Sequence, residues 1–496
     1  MTSSDRAPYT WRAEQPAASA RWSLFLLALA ALTSALIFVR MPGQPLSLAP
    51  LIVFAAWRFL PLLGEKADQK MFLGFIFLCF AVDDMSQVPW GREIDILTED
   101  LGVILFKSYG LTGMEFFAIG FSLWLILVRS KAQLLYWVRQ NIITVIALSS
   151  AIFIASTIAG MYGLASGANV QTYLIQTRFL HILPFWTFIG FVLLRDHRYA
   201  EQVILWITVM VTLKSAQAIG VYLMHRDVFK LSEYLVDHYF SAFSVVAMVA
   251  LTRYLWVTRS WPIKLLCALS ALTVLTTYVL NDRRTSYVGF ALAFFMLPGL
   301  IPTAWLRRLL PKLLIAGGVG ALFVGATWNM PAPIGFIGAT VRSFGSEDGS
   351  EGPSYRDLEN ANLFAAASSS PLTGIGYGKE FTETYPMPDI SFVYERYRML
   401  PHNLFLASWG FGGPLTVAAT SLIFISLIWM AGLLLRASDR APVFFPGLIA
   451  LFYALQYFSY TFGDIGLQIN RNQMLAGFFL GGCFRLLQTY LPREEI

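Results

Sequence analysis

"PHNLFLASWGFGGPLTVAATSLIFISLIWMAGLLLRASDR", Pro401–Arg440, opens with a proline, an imidazole and an amide, runs on through apolar residues, and closes with two arginines. The part from 411 to 435 carries no charged residue, and it is longer than the roughly 20 residues that cross the hydrocarbon core of a bilayer. The cations Arg436 and Arg440 just beyond it are what a span leaves on the cytoplasmic side. One such stretch argues for membrane insertion; its recurrence decides the fold.

Similar runs fill most of the chain. They fall at 22–39, 46–63, 71–88, 109–128, 141–161, 179–194, 202–224, 239–257, 263–280, 285–302, 313–328, 411–435, 443–461 and 473–489. The third is interrupted by Asp83 and Asp84. Of the 496 residues 56% are hydrophobic and 13% charged, against about 25% charged in soluble domains. The expected fold class is therefore all-α: a polytopic integral membrane helical bundle of about 12–14 transmembrane helices. The first span follows a basic tail and has no small-residue cleavage site after it, so it reads as retained.

Loop charges order the spans. Arg6, Arg12 and Arg21 lie in the N-terminal tail, and every second loop thereafter is basic: Lys66/Lys70, Arg129/Lys131/Arg139, Arg195/Arg198, Arg259/Lys264, Arg307/Arg308/Lys312 and Arg436/Arg440. Short Lys/Arg-rich loops stay in the cytoplasm. The alternation predicts a cytoplasmic tail at 1–21, transmembrane helices at 22–328, a large periplasmic loop at 329–400, and C-terminal spans with a cytoplasmic tail at 401–496. The net charge of +6 follows from this topology and calls for no nucleic-acid partner. Cys79, Cys267 and Cys483 fall in apolar runs with no metal-ligand spacing, and read as buried thiols.

The large loop is expected to be functional, since unstructured connections beyond about 12–15 residues are uncommon. Within it, "SYRDLENANLFAAA" (Ser354–Ala367) has early acids and apolar residues at helical spacing, so it predicts a short amphipathic helix. "SPLTGIGYGKEF" then breaks that helix with Pro371, Gly374, Gly376 and Gly378.

Four histidines, His181, His225, His238 and His402, fall on or near the outward side. With Pro401 as the first helical residue, His402 is expected in a helical first turn, where free amides favour a neutral imidazole that can act as a base; the plainer reading is an interfacial side chain at headgroup level. Asn403 beside it can donate and accept. "LNDRRTSYVGF" (Leu280–Phe290) puts Arg283 and Arg284 in a tight outward turn, where a lipid phosphate or a bound pyrophosphate would offset their cost. Arg178, Arg226, Arg342, Arg356, Arg396 and Arg398 add outward cations, although Arg226 and Arg356 have acidic neighbours in sequence.

An arginine turn, then a large outward loop with an arginine and "PLTGIGYG", then "HNLFL" opening the next span: in this order, over roughly 265–425, the chain resembles the O-antigen ligase and polymerase superfamily. The resemblance implies a bacterial inner-membrane glycosyltransferase with its active site facing the periplasm. Its donor would be an oligosaccharide on undecaprenyl diphosphate, and its acceptor either another glycan or the lipid-core, with no metal and no cofactor. Carried onto this chain, it implies His402 and Arg284 as catalytic residues. It implies Arg283, Arg284, Arg356 and Arg178 as diphosphate-binding, with Asn403, Gly374 and Gly376 in support. Ligase and polymerase both stay open. Two other classes compete. "GIGYG" has a superficial likeness to a potassium filter, but Gly374 separates Thr373 from Ile375 and the stretch lies in a polar loop. A transporter or flippase could use the intramembrane charges Lys107, Glu115, Lys214 and Arg253, with Glu115 the nearest partner for Lys214 by depth; no inverted repeat is visible.

Overall fold

The computed structural model describes residues 67–81, 107–108, 111–127, 131–224, 236, 240–281, 283–330, 355–391, 397–437, 442–463 and 470–491. The candidate spans at 22–39 and 46–63 lie outside them, as do Lys107's side chain, His225, His238, Arg226, Arg342 and Arg396. Among the described residues the regular secondary structure is helical apart from a two-residue antiparallel pairing of β1 (Lys107–Ser108) with β2 (Leu111–Thr112).

The helices are α1 (Ala67–Ala81), α2 (Gly113–Leu127), α3 (Lys131–Arg139), α4 (Ile142–Ala165), α5 (Val170–Leu193), α6 (His197–Met224), α7 (Phe240–Val257), α8 (Trp261–Leu280), α9 (Arg284–Leu300), α10 (Thr303–Thr327), α11 (Tyr355–Ser369), α12 (Leu404–Arg436), α13 (Phe444–Gly463) and α14 (Asn470–Tyr490). Every apolar run from 109 onward falls on one of them. Five (α4, the first 24 residues of α6, α7, α8 and α12) are long and apolar enough to cross a bilayer. The fold is that of a multi-pass helical membrane protein.

Two compact units divide the chain: Met1–Phe75 with Leu123–Val128, and Ile76–Ser122 with Arg129–Ile496. In the first, the described residues are the start of α1 and the end of α2. The second holds everything that follows. Its tightest pair is α5 with α14. There a Cβ on Gly481 would strike the carbonyl oxygen of Thr187, and one on Gly190 that of Phe478. Small residues four apart, Gly477 and Gly481, let two backbones touch, the usual way that helices gain packing in lipid, where burial of apolar surface drives little.

Chain reversals sort the helix ends into two sets. At one end meet the C-termini of α4, α8 and α13 and the N-termini of α5, α7, α9 and α12; contacts such as Asn281 Nδ2 to Ser241 Oγ (3.0 Å) tie them. At the other, His197 Nδ1 lies 2.8 Å from the Tyr490 hydroxyl, and Arg253 pairs with Glu201 at 2.8 Å while lying over the Phe445 ring.

Candidate functional site at the loop helix

The predicted loop helix is α11, and it meets the first set of helix ends. Leu363 and Ala367, one turn apart on it, are fully buried, and α11 packs on α12 beside Gly410. The same burial carries Glu359 inward, leaving it 1% exposed. A carboxylate that deep must be hydrogen-bonded, and its partner is His402. The His402 backbone N–H donates to Glu359 Oε2 at 3.1 Å, and His402 Nδ1 lies 3.1 Å from both carboxylate oxygens. An ionised carboxylate only accepts, so opposite one Nδ1 is the donor and Nε2 is the ring's acceptor nitrogen when the imidazole is neutral. The His402 side chain is 16% exposed, which makes the imidazole, and not the carboxylate, the group a substrate can touch.

Asn403 is the N-cap of α12: its Oδ1 accepts from the Leu406 N–H at 3.1 Å. Pro401 and His402 therefore precede the helix, not its first turn as the sequence suggested. The partner that fixes the imidazole is Glu359, not a field of free amides.

Tyr355, one turn before Glu359, presents its ring edge to the imidazole, with centroids 6.2 Å apart. Its buried hydroxyl has no hydrogen-bond partner among the described residues. Burial, reinforced by the Glu359 charge, holds this phenol above its ordinary value of 10.0.

Arg356 lies one turn from Glu359 on the same helix. Its sequence neighbours Asp357 and Glu359 suggested a local ion pair; instead Nη1 donates to the carbonyl of Gly463, the last residue of α13. A Cβ on Gly463 would also meet Thr285, whose carbonyl accepts from Ser459 Oγ. Thr285 follows Arg284, the first residue of α9, so the arginine turn and the loop helix share one neighbour. Arg283, the α9 N-cap, is buried; Arg284 is exposed. Arg356 and the partner of His402 thus lie on the first two turns of α11, and Thr285, next to Arg284, shares the neighbour Gly463 with Arg356.

No protein-family model matches this chain, and no curated protein matches it.

Arg178, on α5, has its Nε 3.9 Å from the carboxylate of Glu115. Glu115 also accepts from the Thr112 N–H at 2.6 Å, while its own N–H donates to Thr112 Oγ1. This is a capping box that starts α2. His181 faces Thr157 Oγ1 at 3.4 Å and the Phe153 ring.

The glycine stretch is threaded into the helices. Gly374, Gly376 and Gly378 have φ of 65°, 93° and 95°, where only glycine is free of strain. A Cβ on Gly374 would strike Phe411 and one on Gly376 would strike Gly163. The Gly376 N–H donates to the Phe411 carbonyl of α12, while that of Gly374 donates to the Ser370 carbonyl and that of Gly378 to Gln176 Oε1 on α5, so all three amides are used within the protein.

Sequence reasoning passed over three residues. In sequence Glu359 is only an acidic neighbour of Arg356. Tyr355 carried no signal. Gln176, 2% exposed on α5, donates through Nε2 to the carbonyls of Lys379 (2.8 Å) and Met399 (3.0 Å) and accepts from the Gly378 N–H at 2.6 Å. It clamps both ends of the segment that leads to His402. Its contacts lie about 200 residues away, as the separations of 202, 203 and 223 show, which no local pattern can reveal. Among the described residues no group of three or more His, Cys, Asp or Glu side chains is placed to hold a metal ion.

Proposed function

We propose that the chain is a membrane glycosyltransferase of the O-antigen ligase or polymerase type, moving a glycan from undecaprenyl diphosphate to a sugar hydroxyl on the periplasmic side of the bacterial inner membrane. The single observation that supports this reading is the Glu359–His402 pair at 3.1 Å, whose carboxylate lies one turn from Arg356 on the same helix.

In this mechanism Glu359 holds the imidazole through Nδ1, and Nε2 takes the proton of the attacking hydroxyl. Such a base contributes about 10²–10⁴ in rate. The acceptor oxygen bonds to the anomeric carbon as the carbon–oxygen bond to the diphosphate breaks, and the electron pair leaves with undecaprenyl diphosphate. Arg284 and Arg356 stabilise the growing charge, with Arg283 behind them, by the fixed-dipole and charge logic that dominates many active sites. Attack opposite the leaving group inverts the anomeric centre.

The test is transfer by purified protein supplied with a lipid-linked repeat unit. Growth of a ladder from that substrate alone identifies a polymerase; product only on adding lipid-core identifies a ligase. His402→Ala and Arg356→Ala are expected to lower either activity by about 10²-fold or more. Transfer at the unaltered rate by His402→Ala rejects the reading.

A further inference from the structure

At the end of the bundle opposite His402, α14 carries a cation that nothing in the proposed reaction uses. Arg485 is 6% exposed. Its Nη2 donates to the phenolic oxygen of Tyr136 on α3 at 3.0 Å, and its guanidinium carbon lies 5.2 Å from the Tyr136 ring centroid and 5.3 Å from that of Phe191. Nη1 has no hydrogen-bond partner among the described residues, and no carboxylate among them pairs with the group. One turn further along α14, Gln488 also has a buried amide oxygen without a partner; exchange of the amide ends would offer its NH2 instead. Ring faces and a phenol polarise around a cation but do not neutralise it, and a buried guanidinium without an anion is costly.

Helix α3 sets the depth of this group. Leu135, Tyr136 and Val138 are exposed at 51%, 42% and 47%, while Trp137 is 5% exposed and packs edge-on against Phe188. Arg139 ends the helix. A short basic helix with bare apolar side chains beside a spanning bundle lies in the bilayer interface, and tyrosine favours the headgroup level. Arg485 is tied to that tyrosine.

We infer that Arg485 and Tyr136, with Gln488 beside them, bind the phosphate of an anionic phospholipid in the leaflet opposite the His402 site. The planar fork of a guanidinium matches phosphate oxygens in bidentate fashion, and the tyrosine hydroxyl orients the fork. The ligand chemistry is a phosphate oxyanion; the interfacial helix makes its source a headgroup.

Protein reconstituted in phosphatidylcholine nanodiscs containing phosphatidylglycerol, then released into detergent for native mass spectrometry, reports retained lipid directly. The wild type is expected to keep phosphatidylglycerol preferentially, and Arg485→Gln to keep about tenfold less. Tyr136→Phe changes an exposed side chain, so it folds where the arginine variant fails, and it should lower retention several-fold. Equal retention by wild type and Tyr136→Phe, or by all three proteins, overturns the site. A parallel arm adds inorganic phosphate to lipid-depleted protein: thermal protection equal to that given by phosphatidylglycerol overturns the lipid assignment in favour of a soluble anion. No glycan transfer enters either readout, so the result stands apart from the proposed enzymology.

Discussion

Ile375 donates its backbone N–H to the carbonyl of Gly410 at 2.8 Å. Within a helix that carbonyl would accept from residue 414, but Pro414 has no N–H to give. The next carbonyl, of Phe411, accepts from Gly376 at 3.0 Å, because Gly413 turns the chain out of helical geometry with φ 67° and ψ −174°. The glycine stretch thus repairs the break in α12 that its own approach requires. The loop is part of the bundle's hydrogen-bonding, and it fixes the backbone some twenty-five residues ahead of His402.

Gly376→Ala is expected to undo this repair. The new Cβ would meet the Gly163 backbone and sit at φ 93°, so the loss of stability should be about 1–3 kcal/mol. Gly120→Ala, with nothing within 4 Å of its added Cβ, should cost nothing. Unfolding of both variants in mixed detergent–SDS micelles measures the difference. Equal midpoints would show that the loop is not structurally coupled to α12.

The Glu359–His402 contact gives a second expectation. Glu359→Gln keeps the volume and can accept from Nδ1 through its amide oxygen, but it removes the charge that would stabilise an imidazolium in the proposed transfer. Turnover should fall about tenfold to a hundredfold with little change in KM, since the lost interaction strengthens only in the transition state. Glu359→Ala should also lower stability, because the His402 N–H loses its acceptor. Steady-state rates against donor concentration separate the two effects.

Tyr355 supplies an alkaline signature. Its phenol is held above 10.0 in the folded protein, first by burial and then by the Glu359 carboxylate. A folded-state value above the unfolded one means that the contribution to stability is whole below pH 10 and is lost as the pH rises through the folded value. Tyr355→Phe, which cannot ionise, should therefore lose less stability than wild type above pH 10. Tyrosinate absorbance and unfolding midpoints across pH 8–12 test this; identical slopes would mean that the ring is solvated.

The sequence carries the bundle well and the site only in outline. Spans are legible because the bilayer demands long apolar runs, and the run at 202–224 became α6 with little shift. The loop helix is legible over Ser354–Ala367 from its early acids and apolar spacing, but which face is buried is not: Phe364 is left exposed, and Glu359, Leu363 and Ala367 turn inward. Arg283, Arg356 and His402 stand out because charge and imidazole are conspicuous at the edge of apolar segments. Glu359 does not, since its spacing to Arg356 suggests an ion pair within the helix, and only packing on α12 turns it toward His402. The N-cap role of Asn403 is a local signal, and it was outweighed by the proline two residues before it.

Gln176 provides the last prediction. One buried amide joins α5 to Gly378, Lys379 and Met399, and so closes the ends of a segment about twenty residues long whose interior is pinned by Arg398 to Glu383 at 2.7 Å and by Asn362 to Tyr385 at 2.8 Å. Gln176→Leu keeps the bulk and abolishes three hydrogen bonds, two of whose partners, Gly378 and the segment next to His402, set where the imidazole stands. Each broken buried bond costs about 1–3 kcal/mol locally, which is enough to open the clamp without unfolding helices held by packing elsewhere. Hydrogen–deuterium exchange should rise at 378–391 and 397–400 and stay unchanged in α7 and α8. Glycan transfer should fall through turnover as the base is misplaced, while Gln176→Glu, which keeps the acceptor for Gly378 N–H but loses both donated bonds, should lie between the two. Exchange that rises uniformly across the chain would instead make Gln176 a residue of global stability and remove it from the account of how His402 is held.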